Sequence, residues 1–270
     1  MEKLEALRSL LRSLDGAVIA YSGGVDSTFL AVVAHEVLGD RALAVTAASP
    51  TYPRHELAEA GEIAARYGLR HLVIETDEFA DPRFLSNPPD RCYYCKLALF
   101  RRLRRLADEE GLEAVLDGAN LDDLGDHRPG HRAARELGVR SPLQEAGFTK
   151  EEIRRFSKEL GLPTWDKPAY ACLASRLPYG TRITAEKLAR IEEAEEYLRS
   201  LGFREVRVRD HSPVARLEVG RGEMEDAWRH RAEIAARLHA FGYPYVTLDL
   251  DGFRSGSMNA VLTAGEGTSS

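Results

Sequence analysis

The 270-residue chain is sparing with cysteine, tryptophan and methionine, having three, two and three respectively. Three thiols cannot make a scaffold of paired disulfides, and such sparing use is typical of chains in a reducing compartment, so a cytoplasmic location is expected. Long apolar runs are missing too: nothing approaches the roughly 18 residues that a membrane span needs. The opening MEKLEALRSLLRSL interleaves Glu and Arg with its leucines, which is the pattern of an amphipathic helix and not of a signal peptide. Nor is there an excess of positive charge. With 37 Lys+Arg against 43 Asp+Glu the net charge is −6, which argues against a general nucleic-acid binder and leaves room only for a local basic patch. What is present is 44% hydrophobic and 30% charged. That is enough apolar side chain for a sizeable core, in a length that suits one large domain with a smaller companion.

The first half alternates short apolar runs with helical spacing. Strands are expected at 17–21, 41–47, 71–76 and 114–116, and helices at 28–38, 55–67 and 96–110, each helix closing on a glycine. This rhythm predicts successive βα units: an α/β fold with a doubly wound, mostly parallel sheet, and a ligand site beyond the carboxyl ends of the strands. Thr149 with Glu152 has the spacing of a capping box for a helix running to 160. Pro163, Pro168 and Pro178 then mark a linker or active-site loop. Beyond it, a helix at 185–201, strands at 205–209 and 214–219, a helix at 223–241 and a strand at 245–250 make a small C-terminal α+β domain. The expected boundaries are 1–162, 163–252 and a flexible tail over 253–270.

The strongest chemical signal is Ser22-Gly23-Gly24-Val25-Asp26-Ser27, set between a strand and a helix. The glycines allow a sharp turn and close approach to a ligand. The helix start offers unpaired N–H groups to phosphate oxygens. Ser22 and Ser27 add hydroxyls, and Asp26 can hold a Mg²⁺ that bridges phosphates. The G-x-x-x-x-G-K-[ST] and G-x-G-x-x-G patterns of other nucleotide loops are absent. A tight βα turn alone would explain the glycines but neither Asp26 nor the serines.

SGGVDS resembles the PP-loop of the ATP pyrophosphatase superfamily, which adenylates substrates and releases pyrophosphate. That resemblance implies ATP and Mg²⁺ as cofactors, a HUP-like fold, and ligation through Ser22, Gly23, Gly24, Val25, Asp26 and Ser27, with Asp26 also catalytic. Asp117-Gly118-Ala119-Asn120 is similar to the superfamily's second nucleotide-facing loop, which adds Gly118.

Cys92 and Cys95 form C-x-x-C just before the expected helix at 96–110, and Cys172 stands far downstream in PAYACLASR. A redox pair with a buried third cysteine is one reading. A zinc site is another, although it lacks a second cysteine pair and would need His127, His131 or His211. A [4Fe–4S] cluster on three thiolates, with one iron open for sulfide, is the third. Joined to a PP-loop, the three cysteines favour the cluster.

The order SGGVDS, NPPDRCYYCK, DGAN, ACLASR and then a small α+β unit is similar to the LarE sulfur transferases, which mature the nickel-pincer cofactor of lactate racemase. The resemblance covers the chain to about Gly252. It implies adenylation of a carboxylate of pyridinium-3,5-biscarboxylate mononucleotide and its conversion to a thiocarboxylate. One form of the family gives up the sulfur of a single cysteine, matching Cys172. The other carries three cysteines and a cluster, which implies Cys92, Cys95 and Cys172 as ligands here, fed by a sulfide donor. Arg207 and Arg209 on one strand face, and Arg176 near Cys172, are the expected cations for the substrate's phosphate and carboxylates; a solvated outward face is the alternative for the strand pair. A homo-oligomer is expected. The rival is a tRNA thiolation enzyme, disfavoured by the acidic charge and the lack of further C-x-x-C pairs, so no nucleic-acid partner is expected.

Overall fold

The computed structural model describes residues 2–125, 129–168, 171–254 and 257. The chain divides into two compact units, one of Met1–Phe84 with Pro88–Tyr170, the other of Leu85–Asn87 with Ala171–Ser270. The segment 163–168, expected with the second domain, therefore groups with the first. The cause is local: Arg154 donates to the carbonyls of Trp165 and Lys167, both at 2.8 Å. Conversely, Leu85–Asn87 groups with the second unit, because Asn87 donates to the Pro178 carbonyl and accepts from the Gly180 N–H.

In the first unit four parallel strands, β1 (Ala17–Ala20), β2 (Ala42–Ala48), β3 (Arg70–Glu75) and β4 (Ala114–Leu116), lie in the order β3-β2-β1-β4. Side chains alternate across the sheet. Ala17, Ile19, Ala42 and Ala44 join one core with Phe29, Phe148 and Phe156, while Val18, Leu43, Val45 and Val115 join another with Phe100 and Leu103. Two apolar faces, each covered by helices, make the expected doubly wound α/β architecture. The helix Val25–Leu38 is buried almost all round, from Val25 to Ala34, because the helices Glu2–Arg12 and Lys150–Glu159 pack outside it. The Thr149 capping box is formed, with the Glu152 N–H donating to the Thr149 hydroxyl and the Thr149 N–H to the Glu152 carboxylate. Phe148 precedes that cap and Ile153 follows it in the same core, the arrangement of a hydrophobic staple.

In the second unit β5 (Val206–His211) pairs antiparallel with β6 (Val214–Val219), and β6 pairs parallel with β7 (Tyr245–Leu248). The helices Ala185–Ser200 and Arg231–Ala240 contribute Ala194, Leu198, Ile234 and Leu238 to its core. The single helix expected at 223–241 is instead two, Met224–Arg229 and Arg231–Ala240, broken at His230. The helix carrying C-x-x-C begins at Arg91 and not at 96, so both cysteines lie inside its first turns. Helices Pro129–Glu136 and Pro142–Glu145 have no counterpart among the expected elements. Phe253 donates its N–H to the Val219 carbonyl and Ser257 bonds Glu218, so the expected tail starts as docked chain; 258–270 lie outside the described residues. Among the described residues no helix is long and apolar enough to cross a membrane.

Phe148 is fully buried, with its ring centroid 5.5 Å from that of Phe29 and 5.7 Å from that of Phe156. Truncation to Ala leaves a cavity against Phe29 and Phe156, so Phe148→Ala is expected to lower the unfolding free energy by about 3–5 kcal/mol, read from urea denaturation.

Candidate active site

The PP-loop leaves β1 at its carboxyl end and turns at once into the helix Val25–Leu38. Gly23 has φ +69°, and a Cβ there would lie 2.8 Å from the Cβ of Ala60, so only glycine fits both the turn and the neighbouring helix. Gly24 occupies the N-cap position and no side chain caps the helix. The first backbone N–H groups, Val25 among them, thus lack intrahelical acceptors and remain available to an anion. The two hydroxyls are set by each other: Ser22 Oγ and Ser27 Oγ are 3.0 Å apart, and the Ser22 N–H donates to Ser27 Oγ at 3.2 Å.

The DGAN loop, one strand over at the end of β4, closes against the PP-loop. A Cβ on Gly118 would meet the backbone nitrogen of Ser27 at 3.1 Å, so the glycine lets the two loops touch. Asn120 reaches the Asp26 carboxylate at 3.5 Å. Lys150, at the first position of its helix, puts its ammonium 2.5 Å from the other Asp26 oxygen. Lys167 donates to the Gly23 carbonyl and to Glu59 and pairs with Glu56. Neither lysine is visible as a site residue from sequence spacing; only the capping box at Thr149 hinted that Lys150 would start a helix. Beside the loop, a shallow hollow open to solvent is lined by Tyr21, Ser22, Thr46, Ala47, Glu56 and Lys96. All of this lies in the first unit.

Cys92 and Cys95 are in that unit as well, at i and i+3 of the helix Arg91–Glu110, hence on one side of it. Cys92 is exposed, Cys95 partly so, and none of the three cysteines is in a disulfide. Among the described residues no group of three or more His, Cys, Asp or Glu side chains is placed to hold a metal ion. His127, one of the zinc candidates, lies outside the described residues.

In the second unit Cys172 precedes the 3₁₀ turn Leu173–Arg176 and is half-buried. Its segment is held by Arg176, which is wholly buried. The Arg176 guanidinium donates to both oxygens of Glu195, at 2.8 and 3.0 Å, and to the carbonyls of Ala171 and Cys172, at 2.6 and 3.1 Å. Expected as a substrate ligand, Arg176 is placed instead as the brace of the cysteine loop, its fork occupied by protein oxygens. Arg207 and Arg209 are also buried, which excludes a solvated outward face for them. Arg209 donates to Glu218, to the Ser175 carbonyl and to Ser257. Arg207 donates to the Val206 carbonyl and lies 5.0 Å from the centre of the Phe253 ring. The register sets Arg209 opposite Arg216, and Glu218 bridges the two like charges.

A glycine loop of this make, at the carboxyl edge of a parallel sheet and with an uncapped helix behind it, defines a nucleotide-binding enzyme of the ATP pyrophosphatase class. The chain belongs to the asparagine synthase family, which it matches over residues 5–237, and within it to the LarE sulfur transferases. It is 41% identical to the pyridinium-3,5-bisthiocarboxylic acid mononucleotide synthase of Lactiplantibacillus plantarum, over 97% of this chain and 95% of that one. It is 49% identical to an uncharacterized protein of Synechocystis, over 97% of this chain and 98% of the other. A more distant relative, the glutamine-hydrolyzing GMP synthase of Aeropyrum pernix, is 27% identical over 68% of this chain and 39% of its own. The α/β fold and the resemblance read from SGGVDS, DGAN and ACLASR are thereby borne out, and the chain is an ATP-dependent, adenylating sulfurtransferase.

Glu195 makes the second unit sensitive to acid. Burial alone would raise its pKa, but Arg176, Arg207 and Arg199 outweigh burial and hold it below the ordinary carboxylate range. A depressed folded pKa adds stability above the unfolded value and loses it as pH falls through the folded one. Glu195→Gln leaves Arg176 uncompensated and is expected to cost about 3–5 kcal/mol at pH 7. The gap to wild type should narrow as pH falls through the ordinary carboxylate range, where the unfolded chain takes up its proton first, and close only below the depressed pKa of the folded carboxyl. Denaturant titrations followed by circular dichroism across that range provide the check.

Proposed function

We propose that this enzyme adenylates a carboxylate of pyridinium-3,5-biscarboxylate mononucleotide and exchanges the adenylate for sulfur, as a step in nickel-pincer cofactor synthesis. The supporting observation is the SGGVDS loop: an uncapped helix start, two hydroxyls and one carboxylate gathered at the end of β1. The near full-length likeness to a synthase of the bisthiocarboxylic acid mononucleotide supplies the substrate class.

In the first step a carboxylate oxygen attacks the α-phosphorus of ATP, the bond to the bridging oxygen breaks, and pyrophosphate departs with the electron pair. The backbone N–H groups from Gly24 onward, with the Ser22 and Ser27 hydroxyls, face the leaving group as its charge builds, and preorganised donors of this kind lower the barrier. Asp26 with these hydroxyls is an oxygen donor set suited to a hard divalent cation. Magnesium, when bound there, screens charge on the departing phosphates. In the second step a sulfur nucleophile adds to the acyl carbon and AMP leaves, so the carboxylate has exchanged one oxygen for sulfur. Carboxylate alone resists this exchange because oxide is a poor leaving group, which is the reason for spending ATP.

Arg207 is proposed to face the substrate's phosphate and carboxylates, while Arg209, bound to Glu218 and the Ser175 carbonyl, joins Arg176 in fixing the Cys172 loop. The donor chemistry of Cys92 and Cys95, two thiols one turn apart, suits iron, and Cys172 is proposed as the residue through which sulfur is delivered. An iron–sulfur cluster, when bound, supplies an open iron for a labile sulfide. Three cysteines outside any disulfide suit a reducing, cytoplasmic setting.

Asp26→Ala is expected to reduce ATP-dependent pyrophosphate release by about 10²-fold or more; unchanged release would overturn the loop's role. Cys172→Ala is expected to keep pyrophosphate release yet form no thiocarboxylate. Intact mass and iron content before and after turnover separate the two routes. Iron with an unchanged chain supports the cluster, whereas loss of about 34 Da, one H₂S, from an iron-free chain supports sacrifice of Cys172.

A further inference from the structure

One peptide unit determines how many donors the loop presents. The Gly23–Gly24 peptide has no Cβ on either side, so rotation of its plane meets little steric resistance. A trans peptide directs its C=O and N–H to opposite sides. Whichever way the Gly23 carbonyl turns, the Gly24 N–H turns the other way. The Gly24 N–H is directed at Ser22 Oγ, 3.4 Å away, on the side where the serine hydroxyls meet. A flipped peptide would offer the phosphates a carbonyl oxygen in place of that N–H.

The Gly23 carbonyl accepts from Lys167 Nζ at 3.3 Å. The same ammonium lies 2.8 Å from a carboxylate oxygen of Glu56 and 2.8 Å from one of Glu59. An ammonium has three protons, and each has a named acceptor. Lys167 is 9% exposed and Glu56 7%. Burial alone would lower the lysine's pKa, but the two carboxylates outweigh it and hold the side chain charged. Its backbone is tied down as well, by Arg154 at the Lys167 and Trp165 carbonyls. Lys158 lies over the Trp165 ring at 4.4 Å. A charged, immobilised donor aimed at one loop carbonyl is a costly feature for a turn that two glycines would make unaided.

We propose that Lys167 is a positioning residue that latches the Gly23–Gly24 peptide with its N–H toward the phosphate side of the SGGVDS loop. The proposal rests on the reading that this loop holds the ATP phosphates. It assigns Lys167 no contact with substrate.

Calorimetric titration with pyrophosphate plus Mg²⁺, with ATP plus Mg²⁺ and with AMP tests it. Lys167→Met is expected to weaken pyrophosphate and ATP about tenfold while AMP, which lacks the leaving phosphates, binds within about twofold of wild type. Lys167→Arg should recover most of the loss. Because Met leaves the buried Glu56 without its ammonium partner, the double variant Lys167→Met, Glu56→Gln is measured alongside and should show the same selective loss. Wild-type pyrophosphate affinity in the double variant, or an equal loss of AMP, overturns the latch. Asp26→Asn separates the two levels. If it loses Mg²⁺-pyrophosphate binding while the Lys167 variants keep it, only the latch fails. If it keeps that binding too, the loop reading fails and the latch with it.

Discussion

The first unit depends on one constraint: a helix must begin at the carboxyl end of the central strand without a side-chain cap. A capped start would satisfy its own N–H groups and have none left for phosphate. An uncapped start is stable only where the surrounding structure holds it, and here it does so on every side. Ser22 and Ser27 bond each other, Gly118 lets the DGAN loop press on Ser27, and Lys150 and Lys167 grip Asp26 and Gly23. The buried helix behind the loop, packed on both sides by apolar side chains, prevents the turn from relaxing.

The second unit solves a different problem with the same means. Four charged groups, Arg176, Arg209, Glu195 and Glu218, are almost wholly enclosed. Isolated, each would be prohibitively expensive to bury; paired and bidentate, they hold a half-buried cysteine in a defined backbone conformation. The Arg176 fork reaches the Cys172 carbonyl on one side and Glu195 on the other, and Glu195 also accepts the Val208 N–H. The loop carrying the thiol is thus fastened to the helix Ala185–Ser200 and to β5. A residue of this kind contributes by fixing another group.

Ionic groups therefore serve two purposes in the chain. On the Asp26 side of the PP-loop they are partly exposed and adjustable, as with Lys150 and Asp26, whose side chains are 32% and 22% exposed, whereas Lys167 behind Gly23 is buried with Glu56. Around Cys172 they are dry and fixed. Nucleotide must enter and leave the first site, which favours groups that can exchange partners. The second fixes the backbone at Cys172, which favours groups that cannot.

The strands, the PP-loop, the capping box at Thr149 and the family were legible from the sequence because each rests on local chemistry: side-chain period, glycine at a turn, a hydroxyl three residues before a glutamate. The helix break at His230, the short helices at Pro129–Glu136 and Pro142–Glu145, and the start of the cysteine helix at Arg91 were not, since tertiary packing and not propensity decides such boundaries. The sequence alone also determined which residues are the candidates for the chemistry, Asp26 and the cysteines, because few side chains can do it. It did not determine what the arginines and lysines do. Arg176 braces a loop, Arg209 shares Glu218 with Arg216, and Lys167 holds a carbonyl far from it in the chain. A long cationic side chain takes its role from whichever acceptor the fold brings within hydrogen-bond reach, and only the tertiary structure chooses that acceptor.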